Sequence, residues 1–237
     1  MNLNKIYIIA GSSSGIGLEC AKKISKKNDV IGLFNSTKQK NAKNLMFYKL
    51  DLEKKSEIEK FFFKKKTLLN KYKKIIFINF ATFKKDNLLI NIKSREIQKT
   101  FKINLFSNFY FSLHLLKNHR LKKLEIIFIS SSLGIKVDAG TSLYSSTKYS
   151  LESLMKSIVI EYSNFNVKCN LLILGFFKTT LWDKLTNEKK DKITNLLPAK
   201  KIGKTSDILK AINFIEASNS INASSIYLDS GFGKVRV

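Results

Sequence analysis

Seven short apolar runs recur along the chain, each separated from the next by a longer stretch that is mostly patterned for a helix. The runs are "KIYIIA" (5–10), "DVIGLF" (29–34), "LMFYKL" (45–50), "KIIFIN" (74–79), "EIIFIS" (125–130), "VKCNLLIL" (167–174) and "SIYLD" (225–229). Most are apolar at consecutive positions, so each strand must be covered on both faces. Between them, segments 16–27, 54–70, about 95–118, about 144–163 and 206–217 carry apolar residues at helical spacing. Strands covered on both faces and joined by helices predict an α/β fold: a doubly wound, predominantly parallel seven-stranded sheet with helices on both faces. No repeat or low-complexity linker interrupts the pattern, so residues 1–237 are expected to form a single domain. The longest stretch without a clear pattern, about 175–205, is expected to be a substrate flap carrying one or two short helices.

Composition narrows the function classes. Hydrophobic residues make up 44% of the chain, 18 of them Phe, which excludes a disordered protein. No apolar run is long enough for a membrane span and none has signal-peptide flanks, so a cytoplasmic protein without membrane partners is expected. Cys20 and Cys169 are far apart and read as buried, reduced thiols. His114 and His119 have no acid or cysteine partners nearby, so no metal site is expected. The net charge of +25 raises the possibility of nucleic acid, but its distribution argues against it. The lysines are scattered over helix faces and turns, and only Arg95, Arg120 and Arg236 offer guanidinium groups. An acidic partner or a phosphorylated substrate remains compatible with that charge.

Two motifs carry chemistry. After the first strand comes "AGSSSGIGLECAKKI", with Gly11, Gly15 and Gly17 between strand and helix. That is where a pyrophosphate meets backbone N–H groups at a helix N-terminus. Gly11 permits the tight turn, Gly15 the approach of phosphates, and Gly17 close helix–strand packing. The spacing is G-x-x-x-G-x-G, with Ser13, Ser14 and Ile16 inside it. The second motif is "LYSSTKYS", in which Tyr144 precedes Lys148 by four residues and shares its helix face. An ammonium one turn away is expected to lower the phenol's pKa from about 10 and fit it for general acid/base work.

Together, "GSSSGIG" and "YSSTK" resemble the short-chain dehydrogenase/reductase family, over the whole chain. The resemblance implies a Rossmann-like fold, a nicotinamide cofactor and a catalytic set of Asn, Ser, Tyr and Lys. By the family's spacing these are Asn104 in "FKINLFSNF", Ser131 in "IFISSSLG", Tyr144 and Lys148. Ser131 is then expected to hold the reacting oxygen, Lys148 to bind the nicotinamide ribose as well, and Asn104 to hold a proton-relaying water. Asp51 and Leu52 match the adenine contact, and Asn79 and Ala81 remain from the family's N-N-A-G stretch, where Phe80 and Thr82 replace an Asn and a Gly. Leu174 replaces a proline before Gly175, and Thr179 keeps the threonine expected near the carboxamide and phosphates. After the second strand stand Asn35, Ser36, Thr37 and Lys38 with no acid, which favours NADPH over NADH, although Ser14 stands where NADP-dependent members carry a basic residue.

"KKDNLLINIK" (84–93), "DVIGLFNS" and "YLDSGFGKV" are similar to members that reduce 3-oxoacyl thioesters on acyl carrier protein, so NADPH-dependent reduction with acyl carrier protein as partner is expected. Lysines including Lys122 and Lys123 are candidates for steering that acidic carrier. Phe176, Phe177, Leu181 and Trp182 offer an apolar lid, or core packing. The resemblance also implies a homotetramer, or a homodimer, joined through helices 95–118 and 144–163. Two other readings stay open: a reductase or dehydrogenase of a sugar or small ketone, and a cofactor-binding scaffold or sensor without catalysis.

Overall fold

The computed structural model describes residues 4–37 and 39–234, so Lys38 lies outside the described residues. Strands β1 (Lys5–Ala10), β2 (Asp29–Phe34), β3 (Leu45–Lys49), β4 (Lys74–Asn79), β5 (Lys123–Ser131), β6 (Val167–Leu174) and β7 (Ser225–Leu228) form one sheet in the order 3-2-1-4-5-6-7. Every strand pair is parallel, so the expected sheet is present and fully parallel. The helices are α1 (Gly15–Ile24), α2 (Lys55–Asn70), α3 (Ser94–Phe101), α4 (Ser107–His119), α5 (Ser142–Glu161), α6 (Thr180–Asp183), α7 (Asn187–Asn195) and α8 (Thr205–Ala217). The single long helix expected over 95–118 is instead α3 and α4 joined by a π-turn, Lys102–Phe106.

The continuous apolar strands divide their side chains between two cores. From β1, Ile6, Ile8 and Ala10 join the core under α2, α4 and α5, while Tyr7 and Ile9 join the one under α1 and α8. In β4 the same alternation sends Ile75 and Phe77 one way and Ile76 and Ile78 the other. Phe77 stacks on Phe111 of α4 with ring centroids 4.6 Å apart, fixing α4 against the sheet. Each such fully buried side chain contributes about 1.5–3 kcal/mol. Cys20 and Cys169 are free and buried among these side chains.

Parallel strands place all their C-terminal ends on one side. The strand order reverses between β1 and β4, and a crevice opens at that switch point. The opposite, N-terminal side is closed by ionic pairs. There Glu125, fully buried, meets Lys74 at 2.7 Å, and Lys74 also approaches Glu216 at 3.6 Å. Lys122 lies on that far side too, where its ammonium donates to the carbonyls of Asn70 (2.7 Å), Tyr72 (2.8 Å) and Leu69 (3.3 Å). It terminates α2, and Lys123 opens β5 beside it. The expected use of these two lysines at the rim of the site is therefore wrong: both stand at the N-terminal end of β5, on the side of the sheet away from the crevice.

Candidate active site

A cavity of about 860 Å³ fills the crevice. One end is the turn after β1. Gly11 sits at φ +73°, and a Cβ there would lie 2.4 Å from the Ala81 nitrogen. A Cβ on Gly17 would lie 2.2 Å from the Gly11 carbonyl oxygen. Both glycines are therefore required by packing. Gly15 differs: at φ +54° its missing Cβ would meet nothing within 4 Å, so it leaves the N-terminus of α1 open to the cavity. Ser14, the N-cap residue, makes no capping bond with its side chain, and no acid stands in the first turn. A turn with unclaimed N–H groups and no negative charge fits the pyrophosphate of a dinucleotide.

Most of the residues expected to bind a cofactor line this cavity: Gly11, Ser13, Ser14, Gly15, Ile16, Gly17, Asn35, Asp51, Leu52, Ala81, Tyr144, Lys148, Gly175 and Thr179. Ser36 is exposed and off the wall. Asn79 is also off it, for a physical reason. Its amide donates to Ser107 Oγ (3.2 Å) and Asn108 Oδ1 (3.1 Å) and accepts from the Ala81 N–H (3.0 Å), so it is buried and fully occupied. The close approach of the β4 end to the glycine turn survives the Phe80 and Thr82 replacements, since Gly11 packs directly on Ala81.

At the other end, three side chains converge. Ser131 ends β5 and Tyr144 and Lys148 lie one turn apart on α5. The neighbouring serines are engaged elsewhere: Ser130 Oγ donates to the Lys148 carbonyl (2.9 Å), and Ser132 Oγ to the Leu174 carbonyl (3.4 Å). Ser131 Oγ accepts only a long bond from the Leu133 N–H (3.3 Å) and lines the cavity together with Tyr144. The Lys148 ammonium is buried, donates to the Ile129 carbonyl (2.9 Å) and sits 5.7 Å from the centre of the Tyr144 ring. Burial pulls its pKa down to about 8.

The expectation that Lys148 lowers the tyrosine's pKa needs correction. Burial of Tyr144 raises it above the ordinary phenol value; hydrogen bonding with Ser131 and Thr82 pulls the other way, and Asp86 adds a further upward push. The phenol therefore holds its proton at neutral pH, the form that donates to a carbonyl oxygen.

Asn104 is in the π-turn and fully buried. Its amide donates to the Phe83 carbonyl (2.9 Å) and Thr147 Oγ1 (3.2 Å), and accepts from the Phe83 N–H (2.7 Å) and Thr82 Oγ1 (3.3 Å). Asn108 Nδ2 occupies the Asn104 carbonyl at 2.8 Å. The side chain clamps the loop after β4 to α5 and leaves no donor for a relay water. A π-turn supplies the extra residue that directs this amide inward. Sequence reasoning missed that Phe80, Thr82 and Lys84 would line the cavity, because nothing in the order of residues shows how the loop after β4 curls across it.

Both Phe176 and Phe177 line the cavity; Phe177 is mostly core, 8% exposed and packed on Gly203, whereas Phe176 meets Phe232 edge-on. Trp182 lines a separate depression beside α7, and the Leu181 side chain lies outside the described residues. The stretch 175–205 does contain two short helices, α6 and α7.

An all-parallel sheet with a glycine turn at its switch point and a Ser–Tyr–Lys cluster across the same cavity defines a nucleotide-dependent α/β oxidoreductase. The chain belongs to the short chain dehydrogenase family, whose model matches residues 5–190. It is 29% identical over 242 residues to the 3-oxoacyl-[acyl-carrier-protein] reductase of Buchnera aphidicola subsp. Baizongia pistaciae, covering 96% of each chain. It is 31% identical over 238 residues to the enzyme of that name from the Schizaphis graminum subspecies, again covering 96% of each. Among solved structures, 4-hydroxyisoleucine dehydrogenase complexed with NADH superposes with a TM-score of 0.86 at 23% identity, over 98% of this chain and all of that one, and shares the fold. Among the described residues, no helix is long and apolar enough to cross a membrane.

Proposed function

We propose that the protein is an NADPH-dependent reductase of 3-oxoacyl thioesters, with Tyr144 as general acid. The observation that carries this reading is the convergence of Ser131, Tyr144 and Lys148 on a cavity whose other end is the glycine turn. The names of the relatives, at about 30% identity along nearly the whole chain, support the substrate class. A bound nicotinamide would supply the hydride. Ser131 holds and polarises the substrate carbonyl oxygen, and Tyr144 passes its proton to that oxygen as negative charge develops there. Lys148, fixed by the Ile129 carbonyl, lies against the phenol ring, where it would hold the ribose of a bound cofactor. Asn104 acts through position: it pins the loop after β4 against α5 and so keeps the cavity wall in place.

The preference for NADPH rests on the loop after β2. Asn35 and Ser36 are exposed there with no carboxylate to repel a 2′-phosphate, and Gln39 reaches back to the Ser13 carbonyl (2.9 Å). An acidic carrier protein would approach a rim that includes Lys84. The stretch 175–205, whose Phe176 and Thr179 line the cavity, serves as the substrate flap. The outer face of α4 and α5, where Phe109, Leu113 and Tyr149 are exposed around a groove of about 840 Å³, serves as the interface of a homotetramer.

The test follows the consumption of NADPH and of NADH with acetoacetyl thioester on acyl carrier protein, beside a panel of sugars and small ketones. Turnover of the thioester with NADPH in preference to the panel is the expected result. Turnover of a sugar or ketone alone would overturn the substrate class and leave the chemistry standing.

A further inference from the structure

Among the described residues, Lys84 and Lys148 are the only lysines on the cavity wall. Lys148 is anchored through the Ile129 carbonyl. Lys84 belongs to the loop after β4, which is tied down on both sides of it. Before it, the Phe83 N–H and carbonyl are held by the Asn104 amide at 2.7 and 2.9 Å. After it, the Asn87 N–H donates to the Gly140 carbonyl at 2.9 Å, just ahead of α5. The Lys84 ammonium is itself held by the Asp86 carboxylate at 2.9 Å, and it lies 5.5 Å from the centre of the Tyr144 ring. A lysine that swings freely in solvent has none of these restraints.

We propose that Lys84 is a positioning residue for Tyr144: with Asp86 fixing its ammonium, it holds the phenol ring in the orientation from which the hydroxyl delivers its proton. This rests on Tyr144 acting as the acid in the proposed reduction. An ammonium is drawn to the negative face of an aromatic ring within about 6 Å of its centre, and Lys84 is inside that reach. Lys148 is 5.7 Å from the same centre, so two ammonium groups from different elements bear on one ring. Lys148 comes from the tyrosine's own helix and moves with it. Lys84 comes from the loop after β4 and so ties the ring to a second element.

Asp86 decides how Lys84 acts. The charged groups facing Tyr144 are Lys148 from α5, and Lys84 and Asp86 from the loop after β4. The Asp86 carboxylate offsets part of the ammonium's charge and itself disfavours the phenolate. Lys84 therefore works by orienting the ring, and the phenol keeps its proton until a carbonyl oxygen takes it. The Lys84 side chain is 39% exposed, which places the contact among the weaker cation–π interactions.

The experiment combines Lys84→Met, Asp86→Asn, their double variant and Lys84→Arg. With the tyrosine rings labelled with ¹³C and Tyr144→Phe assigning the signal, NMR of the ligand-free protein reads the contact and the fold without turnover. The Tyr144 ring signal is expected to move in Lys84→Met and in Asp86→Asn, and the double variant to move it little further, because Asp86 acts through Lys84. NADPH oxidation with acetoacetyl thioester reads the consequence. Lys84→Met is expected to lower kcat by about twofold to fivefold, the worth of one such contact, with KM for NADPH unchanged. Lys84→Arg, which keeps a cation at the ring, is expected to restore the wild-type rate. A Tyr144 signal that stays in place in Lys84→Met, or an unchanged kcat, overturns the proposal. A raised KM for NADPH with kcat unchanged assigns Lys84 to the cofactor and overturns it as well. A wild type that reduces no carbonyl compound overturns the acid role of Tyr144 itself, and the ring signals then stand as a separate test of the contact.

Discussion

Replacing Asn104 by alanine tests the idea that this residue holds the cavity wall and binds no ligand itself. The substitution removes four side-chain hydrogen bonds: two with the Phe83 backbone, one with Thr147 and one with Thr82. A net hydrogen bond contributes about 1 kcal/mol, and a buried group left unpaired costs about 1–3 kcal/mol. The long Thr82 bond contributes little, and water entering from the cavity relieves part of the loss at Phe83. The expected destabilisation is therefore about 3 kcal/mol, which lowers the Tm of a chain of this size by roughly 6–12 °C. Thermal unfolding followed by circular dichroism measures it, and hydrogen exchange at the Phe83 amide locates it. Asn104→Asp is a second check. It keeps the acceptor oxygen but loses both donors and aims a carboxylate at the Phe83 carbonyl, so it should destabilise as well. A Tm within a degree or two of the wild type, with Phe83 still protected from exchange, would show that Asn104 does not hold the wall.

Two further outcomes follow from other parts of the structure. His119 is buried at the end of α4 with Nδ1 unpartnered; burial first, then repulsion from Lys122 and Lys66, hold its pKa down to about 4. Its unfolded value is about 6.5, so the stability tied to the neutral ring is complete above pH 6.5 and is lost as pH falls toward 4. Stability should drop by about 2 kcal/mol over that window, and His119→Leu should flatten the dependence in urea titrations at successive pH values. On the outer face of α4, Phe109→Glu combined with Leu113→Asp should convert the assembly to a monomer of 27.1 kDa by light scattering; a wild-type protein that is already monomeric contradicts the proposed interface.

The strands and their order of alternation were legible because burial on both faces leaves a continuous apolar signal, as in "KIIFIN" and "EIIFIS". The glycine turn was legible because Gly11 and Gly17 leave no room for a Cβ, a local constraint that survives in spacing. What could not be read were contacts set by the third dimension. Asn79 and Asn104 carry the same side chain whether they face a cofactor or each other's loops; only the π-turn and the β4 end decide that they face inward. Lys122 looked like one surface lysine among many, yet three carbonyls at the end of α2 claim it. Thr82 appeared only as a departure from a pattern, and only the fold shows that its hydroxyl reaches the Asn104 amide oxygen at 3.3 Å.

If this cavity reduces a carbonyl with Tyr144 as the proton donor, loss of the phenol hydroxyl must remove turnover and spare cofactor binding. One comparison tests this: NADPH oxidation with acetoacetyl thioester by the wild type and by Tyr144→Phe, with NADPH binding to both followed by fluorescence. The expected result is turnover by the wild type, at least a hundredfold loss in the variant, and equal cofactor binding by the two. Equal turnover by both proteins would contradict it, and cofactor binding without turnover by either would mark a binding protein that has kept the site's residues and lost its chemistry.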